Sequence, residues 1–460
     1  MISFHKKQLT IMAFFWFFVL VTSSLSLLYA EEDDMKSVYE ERKETIAYGI
    51  DSEVSAVIDA IIKEKDDRFE NELLDLYRSS LNETVKAKII SYFDALDLDS
   101  GRDIFFSTLS EEWDQDTSFD LVSAAITYLK KRQTKEITTF FAETLLPDRN
   151  DRISTAAVSA IGDSGDSSFS TLLEEELDSS DLSDNKRAEL ISAIGKLGDT
   201  HAVSTLVDLL LDEGEDKSIR WRAASALGEI GGDSSLEALM EVFDSSDPIL
   251  RSRTTAALTK FDGQQAEQAL IQALRDSFWR VRVAAATALG ERKSEDAVDI
   301  LIYKAKSDPD IKNVRSAAVS ALGEIGSSKA SDLLVELYLD SKVPMEIRSQ
   351  SLIALLKSDE GKALTAVDSI VKNVTEYERQ KVIITETAKI LAMTKSDSLE
   401  DMYKKMLALT DRQEMVLSAL SGIRINKITS LEGEVEKLTG EENNALIRKQ
   451  ALSTLEALRN

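Results

Sequence analysis

The chain contains no cysteine, two histidines and four prolines in 460 residues. The absence of cysteine excludes disulfides, thiolate metal sites, a cysteine nucleophile and lipid attachment at a cysteine after signal cleavage. Two histidines, His5 and His201, leave any zinc or iron site to be built almost wholly from carboxylates. Positive charge is also short, with 55 Lys and Arg against 82 Asp and Glu and a formal net charge of −27. Nucleic acid and anionic lipid headgroups are therefore poor partners, because binding either relies on clustered cations. The acidity itself reads as solubility of a long, exposed helical surface. Beyond the first thirty residues no apolar run is long enough to span a bilayer.

The first thirty residues differ from the rest. His5-Lys6-Lys7 gives a short basic start, Leu9 to Val21 is apolar apart from Thr10, and Leu28-Tyr29-Ala30 precedes the acidic Glu31-Glu32-Asp33-Asp34. That layout predicts a secretory signal over 1–30 with cleavage after Ala30, although Leu28 is a poor match to the small residue preferred there. An uncleaved N-terminal membrane anchor is the alternative, against which stands the shortness of the run. Lys6 and Lys7 are the only charges formally lost with the segment, so the remaining chain carries −29. The expected location is periplasmic or secreted, with no membrane span after cleavage.

What the chain has in abundance is one phrase: an Arg, an Ala-rich run, then Gly. It reads Arg220-Trp-Arg-Ala-Ala-Ser-Ala-Leu-Gly228, Arg282-Val-Ala-Ala-Ala-Thr-Ala-Leu-Gly290 and Arg315-Ser-Ala-Ala-Val-Ser-Ala-Leu-Gly323. Weaker copies start at Arg187, Arg251 and Arg348, so the Arg-to-Arg steps are 33, 31, 31, 33 and 33 residues. A fixed period of that size marks a stack of two-helix units, about a dozen by extension of the register. In residues 294–326, Ala297, Ile300, Leu301 and Ala305 give a first helix one apolar face, and Val314, Ala317, Ala318, Ala321 and Leu322 do so for a second. Pro248, Pro309 and Pro344 are expected at the first position of the second helix. Gly326 suits a left-handed turn after the helix, and Gly323 a tight crossing.

These phrases, Asp-Pro-x-Val/Ile-Arg followed by x-x-Ala-Ala-x-Ala-Leu-Gly-x-Ile-Gly, resemble the HEAT-like repeats of the phycobilisome-lyase type. The match is strong over 151–357 and rests on spacing and apolar pattern elsewhere. The resemblance implies an all-α, right-handed α-solenoid whose second helices line a concave surface. The expected organisation is a signal peptide (1–30), an N-terminal cap (31–70), divergent helical repeats (71–150), regular repeats (151–357) and divergent C-terminal repeats with a cap (358–460). Activity does not follow, since one fold hosts unrelated functions. Deoxyhypusine hydroxylase, in the wider class, holds di-iron through His-Glu pairs, whereas His201 here is followed by Ala202, which excludes that activity. No residue matches a catalytic residue of the phycobilin lyases.

Other motifs reduce to structure. Gly162-Asp163-Ser164-Gly165 looks like a serine-protease phrase, yet the chain beyond the signal has only His201 to act as base, and the phrase falls on the repeat's turn. Ser183-Asp184-Asn185-Lys186 reads as a helix cap. Asp97-Leu-Asp99-Ser-Gly101 starts like a calcium loop, but Gly comes one position early and Thr108 replaces the bidentate Glu, so it reads as a turn. The Arg column is expected to pair with linker acids such as Asp247, Asp276, Asp308 or Asp310, the alternative being a cationic stripe for an acidic ligand.

Trp221 and Trp279 stand where most units carry Ser, Asn or Val. With Arg222, Arg253 and Arg280 they make the candidate binding site, against the plainer reading that each Trp fills a gap between helices. The expected function is an exported, non-catalytic scaffold that holds a protein or peptide on its concave face, with no cofactor and no metal. The alternative is a lyase-type accessory enzyme or chaperone acting on a chromophore or protein.

Overall fold

The computed structural model describes residues 38–459 apart from 113–116, 149, 181 and 372–376, and omits the side chains of 112 and 377–380. The signal at 1–30 and the first residues of the expected cap lie outside the described residues. Among the described residues every regular element is helical, and no helix is long and apolar enough to cross a membrane.

The chain forms two compact units, divided between Leu197 and Gly198. In the first, the helices Asp51–Glu64, Glu83–Ala95, Phe119–Lys130, Asp151–Asp163 and Asp184–Leu197 pack each on the next. They are the second helices of successive pairs. The first helices include Glu70–Ser79, Arg102–Glu112 and Ser170–Leu177. Its core is aromatic: Phe105 meets Tyr77, Phe93 and Tyr128 edge to face at 4.8, 5.3 and 5.1 Å between ring centres, arrangements that exploit the ring quadrupole.

The second unit repeats the plan with a mainly aliphatic core, in which Tyr338 and Tyr403 are also fully buried. Its second helices are Lys217–Ile230, Pro248–Ala257, Trp279–Glu291, Ser316–Ile325, Met345–Ser358, Tyr377–Met393, Gln413–Asn426 and Ala445–Arg459, again each packed on the next. First helices such as Val203–Leu211, Val298–Ser307 and Ser328–Leu339 pack on the second helix of their own pair. Ala and Leu favour the helical state in the regular repeats, and several of their helices start at a polar cap. Asp216, for instance, accepts from Ser218 N, and Asp247 accepts from Ile249 N and Leu250 N. The pairs then bury Ala223, Ala224 and Leu227, or Ala318, Val319 and Leu322, almost completely. Burying each such leucine contributes about 1.5–3 kcal/mol.

Neighbouring second helices touch through a small-residue contact. A Cβ on Gly323 would sit 2.7 Å from the Ala354 Cβ, and the same clash meets Gly228 at Ala257 and Gly290 at Ala321. Glycine is what permits this approach. Where Thr259 takes the slot, the helix Pro248–Ala257 gives way to a 3-10 turn at Leu258–Lys260. Gly326 closes its helix in the left-handed region at φ 65°. Pro248 opens its helix as expected, but the other two prolines fall earlier. Pro309 precedes the capping Asp310, and Pro344 is itself the residue before the helix. A proline fits there equally well, since it needs no donor and favours an extended neighbour.

The first helices of the second unit are linked by a different set of contacts. Lys329 pairs with Asp299, Lys306 with Glu336 (2.9 Å), Lys362 with Asp332 (2.6 Å), Lys405 with Asp368 (2.8 Å) and Lys404 with Glu434 (3.4 Å). Each pair joins one repeat to the next.

Candidate functional site

The repeat arginines are spent on structure, in two ways. Arg251 forks onto Asp276 at 2.7 and 2.9 Å, and Arg282 onto Asp308 at 2.9 and 2.9 Å, each reaching the linker acid of the next repeat. Arg220, Arg315 and Arg348 depart from the expected ladder. They donate to Leu210 O (2.9 Å), Ala305 O (2.7 Å) and Tyr338 O (2.8 Å), capping the C-terminus of their own first helix. At Arg220 the reason is local competition, since Asp247 accepts from the Trp221 indole N–H at 2.7 Å. Burial pushes the Asp308 carboxyl up, but the Arg282 fork, the Asp310 N–H and Lys304 outweigh it and hold it below the usual range.

A second helix inside the row is covered by its neighbours on either side and by its own first helix. Its remaining face meets water. That face carries the residues two before, two after, five after and nine after the repeat arginine. Arg222 and Arg253 both lie two after, exposed, on adjacent second helices. Arg280 is exposed two before Arg282. Its guanidinium stacks on Trp279 at 5.2 Å and lies 6.0 Å from the centre of the Phe278 ring. Among the described residues no carboxylate pairs with Arg253 or Arg280. Trp279 is half-buried, as is Trp221, whose indole N–H is tied to Asp247. Trp279 and Arg280 are thus brought together, and Arg222 and Arg253 share a register.

The remaining motifs adopt the structural roles read from the sequence. Ser183 Oγ accepts from Lys186 N at 3.1 Å. Asp163, within the Gly-Asp-Ser-Gly phrase, lies between Lys130 (2.8 Å) and Lys196 (2.6 Å), and Ser164 Oγ donates to Ile161 O. Burial raises the Asp163 carboxyl, but its two lysine hydrogen bonds hold it below the ordinary range. Asp97 and Asp99 are both clamped by Arg132, at 2.7 and 2.6 Å, in a turn where Asp97 adopts φ 57°. His201 Nδ1 lies 2.9 Å from Asp199 Oδ1, on an exposed side chain.

Sequence reading missed one feature of the water-facing row. Between the second helices Ser316–Ile325 and Met345–Ser358 runs a groove of about 610 Å³, floored by Gly323 and Ala354 and edged by Ser320, Ile353, Glu324 and Lys357. Five residues after the repeat arginine stand Ser225, Ala256, Thr287 and Ser320, and then Ile353, 41% exposed. Further along, Val382 and Met393 are 69% and 80% exposed. They lie opposite the buried Ile383, Ile384, Ala388 and Leu391 of their helix. Ser316 Oγ and Gln350 Oε1, both in the groove wall, are buried without a hydrogen-bond partner. The swap of Ser or Thr for Ile at one repeat position was the available signal.

Comparison with known proteins agrees with this architecture. The family described as Spirochaete HEAT repeat protein matches residues 46–454. No curated protein matches. Among solved structures, Kap95p, from the structure describing how its binding induces the switch loops of RanGDP to adopt the GTP-bound conformation, is 14% identical with a TM-score of 0.50. The match covers 85% of this chain and 60% of that one. The CpcE and CpcF complex of phycocyanin lyase from Nostoc sp. PCC7120 is 20% identical with a TM-score of 0.33, over 51% of this chain and 93% of that one. Human deoxyhypusine hydroxylase is 19% identical with a TM-score of 0.26, over 56% and 96%. At such identities the Kap95p likeness is one of fold alone, and the other two are looser still. With a match running almost the whole length of its paired helices, the chain belongs to the spirochaete HEAT repeat family and is an all-α solenoid.

Proposed function

We propose that this protein is an exported, non-catalytic scaffold, periplasmic or secreted, that holds a protein or peptide on the water-facing row of its second helices. The binding region is centred on Trp221, Arg222, Arg253, Trp279 and Arg280. The observation that carries this reading is the contrast between two sets of arginine. The repeat arginines Arg220, Arg251, Arg282, Arg315 and Arg348 are consumed by carbonyls and carboxylates, whereas Arg253 and Arg280 stand exposed without a carboxylate partner among the described residues. Exposed arginine beside Trp279 and Phe278 has the chemistry of an interface hot spot. In this reading residues 1–30 are a cleaved signal, 31–70 and the C-terminal part of 358–460 act as caps, 71–150 are divergent repeats, and 151–357 supply the regular binding repeats.

The test is cross-linked capture of the tagged protein from the cell envelope, read by mass spectrometry. A stoichiometric protein partner should be recovered, and lost when Trp279→Ala and Arg280→Ala are combined. Recovery unchanged by that pair would remove the region from the binding surface. A mature N-terminus at Glu31 is expected; an intact Met1 terminus would turn the protein into an anchored one.

A further inference from the structure

We propose that the row face of the second unit takes an extended peptide of mixed chemistry, acidic where it crosses Arg253 and Arg280 and aliphatic where it reaches the groove at Ile353. The proposal rests on the scaffold reading above and specifies the ligand. Charge is the first observation. In a chain of net charge −27, Arg253 and Arg280 stand exposed on adjacent second helices with no carboxylate in ion-pair contact among the described residues, which favours carboxylates on a partner. Their planar forks suit carboxylates in particular.

The second observation is the change of character along the same face. Three repeats after Arg253 the row presents Ile353, and beyond it Val382 and Met393, as exposed aliphatic side chains. The groove beside Ile353 is shallow because Gly323 and Ala354 bring the two helices together at its floor. The volume of about 610 Å³ above that floor has room for an inserted aliphatic side chain. Glu324 and Lys357 at the edges give it a mixed polar rim.

The third observation points to an extended backbone rather than a helical one. Ser316 Oγ and Gln350 Oε1 have no partner although both are buried in the groove wall. A peptide in extended conformation carries unpaired N–H and C=O groups that a small rotation of either side chain would meet, whereas a helix has satisfied its own. Packed helices step by about 10 Å. Two to three repeats separate the two arginines from Ile353, or roughly 20–30 Å. At about 3.3 Å per extended residue, the acidic and aliphatic parts of the ligand are separated by about six to nine residues.

The test uses fluorescein-labelled synthetic peptides and the full chain in anisotropy titrations. One peptide carries Glu-Glu-Asp-Glu, seven Gly/Ser residues and Leu-Ile-Leu; a second has the two blocks exchanged. One order is expected to bind, with affinity falling at least tenfold between 50 and 300 mM salt as the charge contacts are screened. Replacing the acids by Gln, or the aliphatics by Ser, should each weaken binding at least tenfold. So should Arg253→Glu with Arg280→Glu, and separately Ile353→Glu, all of them exposed positions at which the helical signal is expected to be retained. Arg253→Lys, which keeps the charge but loses the fork, should weaken binding less than Arg253→Glu does. Binding that ignores Ile353→Glu, or a Gln peptide as tight as the Glu peptide, overturns the proposal. If neither order binds while the envelope partner is still captured and still lost with the Trp279 and Arg280 substitutions, the scaffold reading stands and this ligand is wrong. If capture also fails, both fall.

Discussion

Replacing Arg282 by methionine leaves the Asp308 carboxylate inside the protein without its fork. The two side chains are 9% and 1% exposed, so neither is solvated in the folded chain. Asp308 would keep Lys304 at 3.1 Å and the Asp310 N–H at 3.0 Å, while the carbonyls of Asp276 and Ser277 would lose the donor they now share. Removing one partner of a buried pair costs about 3–5 kcal/mol. The surviving lysine places Arg282→Met near the lower end of that range. Arg315→Met is the internal control, because Arg315 holds the same repeat position but gives up only its bond to Ala305 O. Its expected cost is about 1–2 kcal/mol. The assay is native-state hydrogen exchange with urea denaturation of the full chain, since repeat stacks open locally and a single global midpoint averages over them. A loss at Arg282 no greater than that at Arg315 would refute the view that the carboxylate fork, and not the repeat position, sets the energy. The pH dependence has a definite sign. The Asp308 carboxyl titrates lower when folded than unfolded, so its contribution is complete above about pH 4. It is lost as the pH falls from there through the depressed native value. The exchange protection of Trp279–Glu291 should therefore drop on acidification in the parent and far less in Asp308→Asn, which starts lower.

Gly323→Ala places a methyl 2.7 Å from the Ala354 Cβ. It should destabilise by about 1–3 kcal/mol through overpacking, less about 1 kcal/mol regained in helix propensity. Adding Ala354→Gly should restore most of the loss, and a urea double-mutant cycle with no coupling would sink the idea. Thr254 is fully buried with an unpartnered hydroxyl where neighbouring repeats carry Ala. Thr254→Val should accordingly raise stability by about 1 kcal/mol; a lower urea midpoint would mean that the hydroxyl has a role the structure does not display.

Much of the fold was legible because the repeat's chemistry is local. Gly323 and Gly326 were assignable from their own helix ends, and the Arg251 and Arg282 forks from their spacing to Asp276 and Asp308. The reading faltered where two side chains competed for one acceptor. Asp247 stood in the right linker for an arginine, but an indole N–H reached it first, and only three-dimensional packing decides such a contest. Trp221 was visible as an exception to the repeat, yet its Asp247 partner was not. The apolar part of the row face was hidden for another reason. Past residue 358 the Arg-to-Gly phrase fades to spacing and apolar pattern alone, too loose a register to mark Val382 and Met393 as water-facing.

The two sides of the step from Ser316–Ile325 to Met345–Ser358 differ in hardness. On the second-helix side, Gly323 against Ala354 is a backbone-close contact that cannot be compressed. On the first-helix side, the same two repeats are latched by the solvent-facing pairs Lys306–Glu336 and Lys329–Asp299, individually worth little and weakened by salt. A step loaded mechanically therefore pivots on the glycine contact as a fulcrum and yields by parting its outer latches. Ionic strength becomes a setting for compliance: the stack grows softer to bending in one sense as salt rises, while its inner pitch stays fixed.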